Sequence, residues 1–75
     1  MTLNEFVLAF ANEFDETPIE AFTPQTIFKD LDEWGSLTAL SIIAMVDEHM
    51  EKRITGADIR SSNSIEDLYN KISTL

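Results

Sequence analysis

The stretch Gly35-Ser36-Leu37-Thr38-Ala39-Leu40-Ser41-Ile42-Ile43-Ala44-Met45-Val46-Asp47-Glu48-His49-Met50-Glu51-Lys52 decides how this chain folds. Placed at about 100° per residue, Ala39, Ile42, Ile43, Val46 and Met50 gather on one side, and the spacing predicts a helix from Ser36 to about Lys52 with that side in a core. A different side carries Leu37, Leu40 and Ala44 interleaved with Asp47, Glu48 and Glu51. An apolar strip set among acids suits transient docking, in which charge steers the encounter and small apolar contacts fix it. Leu37 is expected to be exposed. Leu40 fits two positions equally well, one exposed and one covered by the preceding loop.

Upstream of this helix, two proline sites, Thr17-Pro18 and Thr23-Pro24, break any long helical run. They leave a connection of about twenty residues after Asp15, long for a small domain. Ile19, Phe22, Ile27, Phe28 and Leu31 offer apolar anchors within it, so it is expected to be ordered and pinned across the helices. Before it, Leu3, Phe6, Val7, Phe10 and Phe14 recur at helical spacing behind the capping-box pair Thr2 and Glu5. Downstream, Thr55 and Asp58 form a second capping box opening one short helical turn through Ile59, which Ser62-Asn63 ends. Ser64 and Asp67 form a third, and Ile65, Leu68, Tyr69, Ile72 and Leu75 line one face of a last helix. Strand-type alternation is absent. The expectation is an all-α fold, a small bundle of three main helices plus one short helix, forming a single domain over residues 1–75.

Composition narrows the function. With 75 residues, 44% of them hydrophobic, the chain can bury one thin core but not a deep interdomain cleft. Cysteine is absent, so helix packing must supply the stability, and a reducing cytoplasm is the expected compartment. No window approaches the roughly 20 apolar residues of a membrane span, and membrane insertion is not expected. Fourteen acidic against five basic side chains give a formal charge of −9. Such a chain repels nucleic acid and favours partners with basic patches.

Ser36 stands at the junction of the long loop and the second helix, where unpaired backbone N–H groups and the helix dipole would stabilise a phosphate ester. Gly35 leaves its hydroxyl uncrowded. From position and chemistry alone, an ordinary serine N-cap is a better account of it than modification. The stretch Thr23-Pro24-Gln25-Thr26-Ile27-Phe28-Lys29-Asp30-Leu31-Asp32-Glu33-Trp34-Gly35-Ser36-Leu37 resembles the loop and attachment site of acyl and peptidyl carrier proteins. The likeness continues through Leu40, Ile43, Val46, Asp47 and Glu48, the Ile54–Asp58 turn and the Ser64–Leu68 start of the last helix, covering nearly the whole chain. Two departures are Gly35, where most members have aspartate, and Ser41, where many have glutamate. The first bears on recognition by a general phosphopantetheinyl transferase.

The resemblance implies a non-catalytic carrier with 4′-phosphopantetheine, taken from coenzyme A, on Ser36. Its partners would be the phosphopantetheinyl transferase and the acyl-loading, acyl-transferring or condensing enzymes, with basic patches facing an interface drawn from Asp32, Glu33, Leu37, Asp47, Glu48 and Glu51. Glu33-Trp34-Gly35-Ser36-Leu37 looks more like specialised carriers than housekeeping fatty-acid carriers. Fatty acyl, polyketide, aminoacyl and sugar-pathway cargoes all stay open, and a monomer is the expected state. Trp34 is expected to cap the core, with contact to the arm or a partner as the other reading.

Three other readings compete with this one. Asp30, Asp32 and Gly35 occupy positions one, three and six of an EF-hand loop, but Trp34 and Ser41 stand where a ligand and the bidentate glutamate are required. Hydrolase chemistry would need a base near Ser36, yet the lone histidine, His49, lies about 20 Å along the same helix at 1.5 Å per residue; no catalytic residue or metal ligand set is expected. The remaining alternative is a carrier-like helical adaptor that is never modified.

Overall fold

In the computed structural model, which describes residues 1–75, each of the three capping boxes starts a helix. Helix α1 runs Leu3–Ala11, α2 Ser36–Met50, α3 Gly56–Arg60 and α4 Ile65–Ser73. Thr2, Thr55 and Ser64 each accept from the backbone N–H three residues on, while Glu5, Asp58 and Asp67 accept from the cap residue's own N–H. Those cap N–H groups, foremost among the causes, hold the Glu5 and Asp67 carboxyls below their ordinary range. The fold is all-α as expected, and no helix is long and apolar enough to cross a membrane.

The core forms where α1 lies on α2 and α4, with α3 closing against α4. Phe6, Phe10, Phe28, Ile42, Val46, Ile65, Leu68 and Ile72 are fully buried. From α2, Ile42 and Val46 go inside as expected, with Ala39, Ile43 and Met50 packed at the margin. Met45, outside the face read from the sequence, is buried as well.

Several boundaries and side chains depart from the sequence reading. Helix α1 stops at Ala11, and Phe14 reaches the core from a following turn held by Glu13 N–H to Phe10 O and Phe14 N–H to Ala11 O. Helix α2 stops at Met50 rather than Lys52, because Glu51 turns into the left-handed region (φ 55°) while its N–H still reaches Asp47 O. Leu75 lies beyond the end of α4 and is exposed, so it does not extend the core face.

The long connection is ordered, with single 3₁₀ turns at Ile19–Ala21 and Phe28–Asp30, but only some of its apolar residues anchor it. Phe22 and Phe28 are buried and Leu31 packs against the core, whereas Ile19 and Ile27 are exposed. Backbone bonds replace the missing anchors: Ile65 N–H donates to Thr26 O (3.1 Å) and Glu66 N–H to Pro24 O (2.9 Å), fastening the loop to the start of α4. Ile27 pairs there with Ser64 as an isolated bridge.

With so small a core, single truncations are expected to be costly. Ile42→Val should lower unfolding free energy by about 1 kcal/mol and Phe10→Ala by about 3–5 kcal/mol, the latter a large part of the whole stability of a domain this size. Urea unfolding followed by helical circular dichroism measures both.

Candidate functional site

Helix α2 begins without a side-chain cap. Gly35 is its N-cap, in extended backbone (φ −174°, ψ −172°), and Ser36 is the first helical residue. The N-cap role open to Ser36 from position alone is therefore not the one it takes. Its side chain is exposed and its hydroxyl has no hydrogen-bond partner within the protein. The backbone at 35 is one that any residue adopts, and a Cβ there would meet nothing within 4 Å. Glycine at 35 is thus not required by the fold; its effect is to keep the space beside Ser36 open.

Two contacts hold the approach to this helix. Thr38 Oγ1 donates to Glu33 O (2.8 Å), stitching the first turn back to the loop. The Glu33 carboxylate receives four hydrogen bonds from residues 15–17. Asp15 N–H reaches Oε2 at 2.7 Å, while Oε1 takes Glu16 N–H at 3.0 Å, Thr17 N–H at 2.8 Å and Thr17 Oγ1 at 2.7 Å. Led by the Thr17 hydroxyl, these donors bring the Glu33 pKa down from the ordinary 4.5 to about 2. Glu33 is thus a clamp between the end of α1 and the start of α2.

The other interface candidates sit differently. Leu37 is 81% exposed and Leu40 61%, which decides the open question for Leu40. Ala44, Asp47, Glu48 and Glu51 are exposed too, so with the leucines they form one stripe along α2 at helical spacing. Asp32 is exposed but lies off this stripe, lining a cavity with Glu16, Thr17, Pro18, Asp30, Leu31 and Glu33. Trp34 is half-buried, its ring 4.9 Å from Phe28 edge-on and 6.5 Å from Phe10, stacked. It caps the core and at the same time forms part of a cleft beside Ser36.

That cleft, about 330 Å³, is lined by Ser36 itself, Gly35, Trp34 and Ala39, and by Lys29, Gly56, Ile59 and Arg60. The last four were not singled out from the sequence. Lys29 lies seven positions before Ser36 and the others beyond the end of α2, and only the tertiary fold brings them together. The one signal available beforehand was the scarcity of bases, since Lys29 and Arg60 are two of only five. Chemically, the site offers an unencumbered hydroxyl, open helix N–H groups and two cations, a setting that fits a phosphate ester on Ser36.

Two predictions follow from this geometry. Because the folded Glu33 pKa is depressed, its contribution is present above the unfolded value near 4.5 and is lost as pH falls towards about 2. Glu33→Gln should therefore be less stable than the wild type at pH 7, with the gap in thermal midpoint narrowing between pH 4.5 and 2. Gly35→Asp should fold normally and gain a few tenths of a kcal/mol, since an aspartate N-cap can accept from the open first turn; chemical denaturation measures the gain. No protein-family model, curated protein sequence or solved structure matches this chain.

Proposed function

We propose that this chain is a carrier protein of the acyl-carrier type, modified on Ser36 with 4′-phosphopantetheine and presenting thioester-bound groups to partner enzymes. The observation that carries the reading is the exposed, unpartnered Ser36 hydroxyl on the first residue of a 15-residue helix that lacks a side-chain cap. The family resemblance around Ser36 and Leu37, and the exposed stripe of Leu37, Leu40, Asp47 and Glu48 on the same helix, continued by Glu51 at its C-cap, support it.

In the modification, a transferase brings coenzyme A to the serine. Ser36 Oγ forms a new P–O bond to the phosphate nearest the pantetheine, the P–O bond on the nucleotide side breaks, and the adenosine bisphosphate leaves. The transferase's base takes the hydroxyl proton. The chain then tethers its cargo by the terminal thiol, raising the cargo's effective concentration at each partner's active site. The acidic stripe gives such partners, with basic patches, a surface of modest area suited to fast exchange.

Incubation with coenzyme A and a broad-specificity phosphopantetheinyl transferase, followed by intact mass, tests the reading. One phosphopantetheine added to the wild type and none to Ser36→Ala is the expected result. No addition to the wild type, repeated with a transferase from the source organism, would favour the unmodified helical adaptor.

A further inference from the structure

The charge in the cleft beside Ser36 runs against that of the chain. A protein of net charge −9 places two of its five basic side chains, Lys29 and Arg60, at this one opening. Neither donates to a carboxylate there. The Lys29 ammonium donates to a backbone carbonyl, Arg60 O, at 2.7 Å, and the Arg60 guanidinium donates to no carboxylate. Lys29 also lies over the Phe28 ring, 5.8 Å from its centroid, which fixes its stem.

A Cβ on Gly56 would stand 3.1 Å from Arg60 Nη1, so the guanidinium lies over the start of α3, where a side chain at 56 would displace it by only a few tenths of an ångström. Behind the cations, Ala39 and Ile59 contribute apolar surface. A monoanion followed by a short, branched apolar body matches this combination.

We propose that this cleft seats the base of the arm, resting on the carrier reading of Ser36. Lys29 and Arg60 hold the phosphodiester, and Ala39 and Ile59 receive the gem-dimethyl carbon that follows it in pantetheine. The arm then leaves the surface in one direction, between α2 and α3, instead of pivoting freely about the serine. Lys29 and Arg60 are positioning residues.

Backbone amide NMR of ¹⁵N-labelled protein before and after modification tests the seat, with intact mass confirming each loading. In the wild type, modification should shift the Gly56 and Ile59 amides, which are remote from Ser36 in sequence. In Lys29→Met/Arg60→Met those shifts should fall to the level of distant residues, and Lys29→Arg with Arg60 intact should restore them. Arg60 is exposed and Lys29 half-buried, so the variants are expected to keep the wild-type helical signal; the single variants serve if the double variant resists loading. Loading with shifts confined to the neighbours of Ser36, or with unchanged shifts in the double variant, overturns the seat and leaves the carrier reading standing. No loading of the wild type, by a transferase from the source organism as well, overturns both.

Discussion

The packing of the Phe10 ring is what the rest of the molecule depends on. Its centroid lies 5.4 Å from that of Phe28, 5.7 Å from Phe14, 6.1 Å from Phe6, 6.4 Å from Phe22 and 6.5 Å from Trp34. A chain with no disulfide depends above all on burial, and aromatic rings bring the most apolar area per residue ordered. Through this one ring, α1 is joined to both halves of the long connection and to the residue two places before Ser36. The connection is therefore anchored through Phe22, Phe28 and Trp34, although it carries little regular structure.

Much of this was legible because helix starts are local. Thr2, Thr55 and Ser64 announce their helices by spacing alone, and the core face of α2 follows from its period. The misses have non-local causes. Ile19 and Ile27 look like anchors in any hydrophobicity pattern, but the loop is held at Thr26 and Pro24 by backbone bonds to α4, and no side-chain pattern encodes those. Met45 lies about 60° outside the inferred face at 100° per residue; neighbours cover more of α2's circumference than one face. Glu33 reads as another surface acid, and its role emerges only once residues 15–17 turn their N–H groups towards it.

Charge is partitioned along α2 rather than averaged over the surface. Asp47, Glu48 and Glu51 lie eleven to fifteen residues beyond Ser36, some 16–23 Å at the helical rise per residue. Screening at physiological ionic strength acts over about 8 Å. The acids at the far end of the helix therefore do not cancel the potential of Lys29 and Arg60 at its start. One helix can present an acidic stripe at one end and an anion-friendly pocket at the other.

The unequal capping of the helices has a dynamic meaning. Three of the four starts are closed by reciprocal side-chain bonds, whereas α2 opens on Gly35 with its leading amides uncovered. Local opening begins where such bonds are fewest, so the turn carrying Ser36 belongs to the least protected part of an otherwise well-fastened framework.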